Sequence, residues 1–167
     1  MFSAIVYKST TGSCKKYADL LSARLHIPAF PLGKEYIPAD TKIIYVGWLF
    51  AGKIMGYDKA AKKYDIGAVV QVGMSPVSAK SEEVCREKNA VCADVPVFTR
   101  QGAFNINKLP PHFRFIMKIK NKDIAARFEG KENLSDAQKA TYKMASTGVG
   151  EPPCWCVDDI VKWCAEH

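Results

Sequence analysis

Apolar runs and amphipathic periods alternate along the first hundred residues, which is the pattern of strands crossing over through helices in a parallel α/β sheet. Phe2 to Tyr7, centred on Ala4, Ile5 and Val6, is a near-continuous apolar run and predicts a strand covered on both faces. After the polar loop Lys8–Ser13, the spacing of Ala18, Leu21 and Leu25 predicts a helix over Cys14–Leu25. Ile27 to Leu32 is interrupted by proline and suits an edge strand. Lys42 to Trp48 and Ala68 to Val72 predict two further buried strands, and Val95 to Thr99 the last. Between them lie a loop and short helix over Leu49–Tyr64, with Tyr57 and Tyr64 as packing residues. A second loop runs from Gly73 to Ser78, and a helix from Ala79 to Lys88. Five strands with crossover helices predict a doubly wound sheet, because such crossovers are right-handed and cover both faces.

The last third exceeds what a minimal five-strand domain needs. Pro110 to Gly130 reads as a basic, partly helical excursion and Leu134 to Ala145 as another helix. Trp155 to Glu166 reads as the closing helix, with Val157, Ile160, Val161 and Cys164 on one face. The chain has 167 residues, 48% of them hydrophobic and 25% charged, which fits one folded domain over residues 1–167 and excludes wholesale disorder. No apolar run approaches the ~20 residues of a membrane span. The chain opens directly on a strand pattern without the features of a secretory signal, which predicts a cytoplasmic location.

Charge adds a local feature. The net charge is +7, and Lys108 to Lys131 holds seven basic residues (Lys108, Arg114, Lys118, Lys120, Lys122, Arg127, Lys131) against two acidic ones, Asp123 and Glu129. A basic surface favours phosphates, anionic lipids or acidic proteins. Phe113 to Lys122 interleaves Phe113, Phe115, Ile116, Met117 and Ile119 with Arg114, Lys118, Lys120 and Lys122. That mixture suits either contact with an anionic membrane surface or partner protein, or a helix that covers the sheet and leaves its lysines in water. The six cysteines are too sparse for a disulfide framework in a chain of this length. Cys154 and Cys156 flank Trp155 as a C-x-C pair, for which the small-hydrophobe role outweighs a redox or metal role.

The candidate chemistry sits in the first loop. Ser9-Thr10-Thr11-Gly12-Ser13-Cys14 joins a buried strand to an amphipathic helix. In open α/β sheets ligands bind beyond the carboxyl ends of the strands, where the strand order reverses. A helix start there offers free amides and the positive end of a dipole. The hydroxyls add neutral donors, and Gly12 permits close backbone approach. This set suits a phosphate monoester held without metal. The same residues also suit a polar turn with a Ser or Thr N-cap. No G-x-x-x-x-G-K-[ST] and no G-x-G-x-x-G occurs, and His26, His112 and His167 are scattered, so P-loop, dinucleotide and metal or triad hydrolase readings lack a motif.

Ser9-x-Thr11-Gly12-x-Cys14, entered from Ile5-Val6-Tyr7, resembles the phosphate loop of the flavodoxin family, with Cys14 in place of the usual hydroxyl residue. Gly47-Trp48-Leu49-Phe50-Ala51-Gly52 and Gly73-Met74-Ser75 fall, in order, where flavodoxins place their two flavin loops. Thr99 to Asn105, Leu109-Pro110 and Phe113 to Lys118 are similar to flavodoxin-domain proteins related to the flavodoxin-type protoporphyrinogen oxidase, which carry an insertion ahead of the final helix. The resemblance implies a flavodoxin-like three-layer sandwich with a five-stranded parallel sheet of order 2-1-3-4-5 and a basic helical insertion at about 106–150. It implies flavin mononucleotide (FMN) as cofactor, with Ser9, Thr10, Thr11, Gly12, Ser13 and Cys14 at its phosphate and Gly47 to Gly52 and Gly73 to Ser75 at its ring. Trp48 and Phe50 would cover that ring; the alternative is that Trp48 ends a strand and packs in the core. The implied function is electron transfer, as a carrier or a small FMN-dependent oxidoreductase, protoporphyrinogen oxidase-like or quinone-linked. Its partners would be a redox protein or a quinone or other small acceptor, with peripheral contact to an anionic membrane surface through 108–131, and no nucleic acid. The alternative is a regulatory or interaction module of the same fold without flavin.

Overall fold

The structure is a computed structural model that describes residues 1–76 and 78–167; Val77, in the loop expected from Gly73 to Ser78, lies outside the described residues. The strands are β1 (Ala4–Lys8), β2 (Ala29–Pro31), β3 (Lys42–Phe50), β4 (Lys53–Ile54), β5 (Asp65–Gly73) and β6 (Val97–Gln101), and a small ribbon is made of β7 (Phe104–Asn105) and β8 (Val149–Gly150). Helices are α1 (Ser13–Leu25), α2 (Tyr57–Ala61), α3 (Ala79–Asn89), α4 (Pro111–Ala126), α5 (Asp136–Thr147) and α6 (Asp158–Glu166). The main sheet runs β2-β1-β3-β5-β6, all parallel, with the two-residue β4 antiparallel to the end of β3. With β4 set aside, this is the expected order 2-1-3-4-5. Chain order reverses between β1 and β3, so the carboxyl ends of those strands form the crevice where ligands bind in such sheets.

Burial explains why the central strands are apolar at nearly every buried position. On one face Ile5, Ile44, Val46, Val70 and Val72 pack with Tyr17 and Leu21 of α1 and Ile160 of α6. On the other, Val6, Ile43, Tyr45 and Val69 pack with Tyr57 and Ala60 of α2 and Cys85 of α3. Each fully buried Ile or Val contributes about 1.5–3 kcal/mol, so β1, β3 and β5 have little tolerance for polar residues. The tolerated exceptions bond to each other. Gln71 donates to the Thr99 hydroxyl at 2.6 Å, and that hydroxyl donates to Glu82 at 2.9 Å.

Several expectations change. Leu49 and Phe50 are not loop residues: β3 continues through them and turns back at Ala51-Gly52, both at positive φ, so that Leu49 and Phe50 pair with Ile54 and Lys53. The closing helix starts at Asp158, after an irregular Pro152–Val157 segment. Cys154 and Cys156 are exposed rather than filling the core, and no group of three metal-ligating side chains occurs among the described residues. The excursion is two helices. Helix α4 begins at Pro111, whose missing N–H costs nothing in a first turn. Helix α5 is set by a capping box, Ser135 with Gln138, and ends on Gly148 at φ 76, which returns the chain to pair with β7. Helix α4 lies mainly against α5 and the turn Ile106–Lys108, and meets the main sheet at the end of β3 through Phe113. No helix is long and apolar enough to cross a membrane among the described residues.

One carboxylate ties the β2–β3 connection to the rest. The Glu35 side chain is 3% exposed; burial would raise its pKa, but its own backbone N–H, Lys63, Tyr64 and the Gly33 N–H outweigh that and hold it down at about 2. A carboxylate with a folded pKa below its unfolded value stabilises fully above the unfolded pKa and loses that contribution as pH falls through the folded one. Acid unfolding between about pH 4.5 and 2 is therefore expected to be steeper in the parent than in a Glu35→Gln variant. The variant should be less stable at neutral pH by on the order of 1–3 kcal/mol. Equal stability-against-pH curves for the two proteins would remove Glu35 from this role.

Candidate functional site

Helix α1 starts at the carboxyl end of β1 with Gly12 as its N-cap, at φ 102, and no side chain caps it. The expected alternative, a turn closed by a Ser or Thr N-cap, is therefore not what forms. An uncapped helix start leaves its first amides without intrahelical partners and concentrates positive dipole there. A Cβ built on Gly12 would meet nothing within 4 Å, so it is the left-handed φ rather than crowding that favours glycine here. The Ser9 hydroxyl is buried and lacks a hydrogen-bond partner. Ser13 is committed elsewhere: its hydroxyl donates to the Ala103 carbonyl at 3.0 Å, tying the loop to the strand after β6. Burial pushes the Cys14 thiol well above its usual pKa range, so it stays protonated and is a packing residue, not a nucleophile.

Two cavities meet at this crevice. The first, about 80 Å³, is lined by Ser9, Thr10, Thr11, Ser13 and Cys14 on one side and by Trp48, Leu49, Phe50, Gly73 and Met74 on the other. The second, about 280 Å³, is lined by Leu49 to Gly52, Gly73 to Pro76, and Lys120. Leu49, Phe50, Gly73, Met74 and Met117 border both. Of the residues expected at the site, only Gly12 and Gly47 line neither cavity. Gly12 acts through its backbone as the N-cap. Gly47 is buried within β3, where a Cβ would come within 2.5 Å of the Ile54 side chain, so it lets the β4 return pack.

Other residues at the crevice were not expected there. Gly102, Ala103, Phe104, Leu109, Phe113 and Met117 line the first cavity. Gly102 lies so close to α1 that a Cβ would stand 2.9 Å from that of Ser13 and 2.6 Å from Val72. Its amide donates to the Gly73 carbonyl at 2.8 Å. The Gln101 amide donates to the Met74 carbonyl at 2.9 Å and to Thr141 of α5, and the Thr141 hydroxyl donates to the same carbonyl at 3.0 Å. The insertion thus pins the second candidate loop. These are contacts between residues far apart in the chain, and only the quoted similarity of Thr99 to Asn105 pointed toward the segment.

Comparisons with protein-family models, with curated proteins and with solved structures return no match to this chain.

The arrangement is therefore judged on its chemistry. No carboxylate or imidazole lines either cavity, and the one cation is Lys120, whose ammonium lies 5.9 Å from the centre of the Phe50 ring. Such a lining offers neutral donors and aromatic surface, with no acid–base pair. Trp48, Phe50 and Phe113 form an edge-on cluster, Phe113 lying 4.7 Å from Phe50 and 5.3 Å from Trp48. The Trp48 indole N–H is buried without an acceptor. Phe113 therefore wedges a crevice whose polar edges are left unsatisfied. Phe113→Ala is expected to cost about 1–3 kcal/mol of stability, because the ring is only partly buried, and to raise quenching of Trp48 by acrylamide. Quenching equal to the parent would show that Phe113 does not wall this crevice.

Proposed function

We propose that this chain binds FMN at the crevice between the ends of β1, β3 and β5 and works in electron transfer, as a carrier or a small FMN-dependent oxidoreductase of flavodoxin-like fold. The observation that carries the reading is the pairing of an uncapped α1 N-terminus with a buried, unpartnered Ser9 hydroxyl at the same cavity. A buried hydroxyl without a partner costs roughly 1–3 kcal/mol, and a phosphate oxygen would remove that cost where the helix dipole favours negative charge. The motif order agrees: the hydroxyl loop follows the first strand, the aromatic loop the third and the Gly73–Ser75 loop the next.

The residues fit the group. Ser9, Thr10, Thr11 and the amides after Gly12 would hold the phosphate. Trp48, Leu49, Phe50, Ala51, Gly52, Gly73, Met74 and Ser75 would flank the ring system. Bound FMN supplies one- and two-electron chemistry. The chain's part is to bind, orient and exclude water, and Trp48 and Phe50 set the polarity around the ring. The absence of a pyrophosphate motif argues for FMN over the dinucleotide. Size adds one requirement. Small-ligand clefts span about 300–1,000 Å³, so FMN would have to extend across both adjoining cavities. The small volume of the first, about 80 Å³, favours the alternative reading, a module of this fold that holds no flavin and uses the packed crevice only as structure. The electron acceptor proposed for the flavin reading is a redox protein or a quinone.

Replacing Thr11 by Glu places a negative charge against the phosphate position and is expected to weaken FMN binding more than tenfold, while Ser9→Ala weakens it several-fold. Riboflavin, which lacks the phosphate, should bind both variants and the parent with similar, weak affinity. Flavin fluorescence titration reads all three. Parent-like FMN affinity in Thr11→Glu would move the phosphate site away from this loop.

A further inference from the structure

We propose that Cys154 and Cys156 form a thiol–disulfide exchange site, which takes a small peptide disulfide of the glutathione class in the cavity beside them. The cavity, about 300 Å³, lies beside β6, the last strand of the sheet, and is lined by both cysteines with Tyr17, Arg100, Gln101 and Asp159. Both cysteines are exposed, in the irregular segment between β8 and α6. Trp155 between them packs against the core instead, its ring 5.0 Å from that of Tyr17 and 3.9 Å from the Lys16 ammonium. With Trp155 anchored inward, its two neighbours share one cavity wall. Arg100 holds this segment to β6: its Nε donates to the Cys156 carbonyl at 2.9 Å, and its guanidinium pairs with Asp159. The other thiols do not compete. Exchange requires a thiolate, and burial withholds it from Cys14 and pushes Cys85 and Cys164 up to about 11. Cys92 is exposed but has no second cysteine two residues away.

The cavity also carries polar groups that a peptide would satisfy. Gln101 is 6% exposed, and its amide oxygen has no hydrogen-bond partner. Its amide nitrogen donates at 3.0 Å to the carbonyl of Ala137, which lines the cavity too, so this side-chain amide sits at the cavity wall. A substrate N–H would partner that oxygen and remove the cost of leaving it bare. Arg100 spends three of its five N–H groups on Cys156, Thr99 and Asp159, which leaves two for a substrate carboxylate. Asp158 and Asp159 stand close by, but each is paired, with Arg24 and Arg100 respectively. A volume of about 300 Å³ suits a small ligand and not a folded partner. The Cys156 thiol donates to Asp158 at 3.5 Å, whereas the Cys154 thiol makes no hydrogen bond among the described residues, so Cys154 is the attacking group. Its thiolate attacks one sulfur of the disulfide. A new S–S bond forms, and one glutathione leaves as thiolate and takes up the proton that Cys154 lost. Cys156 then loses its proton and attacks the Cys154 sulfur, and the second glutathione leaves and takes that proton. The chain is oxidised by two electrons, and the small disulfide is reduced to two thiols. Residues i and i+2 span at most about 7 Å, so a slight bend of the segment brings the pair within disulfide reach.

Mass spectrometry tests this on the full chain, reduced by a phosphine that is then removed, and offered glutathione disulfide. The parent is expected to become lighter by two hydrogen atoms, with Cys154 and Cys156 both blocked to alkylation. Cys156→Ser should stop at the first step and carry one glutathione on Cys154. Cys154→Ser should react roughly tenfold more slowly, because the remaining thiol is held by Asp158. Cys92→Ser should react as the parent does. Both proposed cysteines are exposed, so their variants should melt with the parent. The parent's rate should saturate with glutathione disulfide, as binding in a cavity requires, whereas the same chain unfolded in urea should show a linear dependence. The masses report on the thiols alone, so the outcome is independent of flavin binding. Three results would each overturn the proposal: no loss of hydrogen by the parent, a chain-to-chain disulfide in place of the internal one, or a linear rate for the folded chain.

Discussion

Helix α1 begins where β1 ends, with Gly12 in a left-handed conformation and no side chain closing its first turn. Two contacts hold that start in place. The Ser13 hydroxyl, on the first helical residue, donates to the Ala103 carbonyl. Gly102 lets the segment after β6 pass within van der Waals contact of Ser13 and Val72. The Ser9 hydroxyl at the same cavity is buried without a partner. The cost of that unsatisfied polarity is met by the two apolar clusters on either face of the sheet, which bury Ile5, Val6, Ile43, Ile44, Val69 and Val70 completely. Folding energy comes from the middle of the sheet, and the unpartnered Ser9 hydroxyl and Trp48 indole lie toward its carboxyl edge.

The insertion is part of that edge. Through Thr141 and Gln101 it fixes the Met74 carbonyl, and through Phe113 and Met117 it closes the crevice from above. Helix α4 has an inner face that packs, with Phe113 against Trp48 and Phe50 at the end of β3, and an outer face that does not.

Much of the frame was legible in the sequence because strands covered on both faces are apolar at nearly every buried position, as β1, β3 and β5 are apart from Gln71. The Ser9–Cys14 segment was legible as a polar connection between a strand and a helix, but its hydroxyls suit a capped turn as well as a ligand loop, and only the folded chain shows that no side chain caps α1. What escaped reading depended on distant partners. Leu49 and Phe50 look like loop residues after a strand, yet a turn at Ala51-Gly52 brings Ile54 and Lys53 back to pair with them. Gly47 looks like a site glycine but serves that return strand. In α4 the alternation of Phe113, Phe115, Met117 and Ile119 does not tell which residues face inward; only the position of the helix against α5 decides. The role of Gln101, buried with three hydrogen bonds from its amide, follows from a pairing 40 residues away and has no local signal.

The central claim is that the crevice at the end of β1 holds a flavin mononucleotide. Heat-denaturing the purified protein, after reconstitution with excess flavin and removal of what is unbound, and chromatographing the released cofactor tests it most directly. The account predicts FMN, at close to one per chain, when FMN, FAD and riboflavin are offered together. Recovery of FAD in place of FMN, or of no flavin at all, would contradict it.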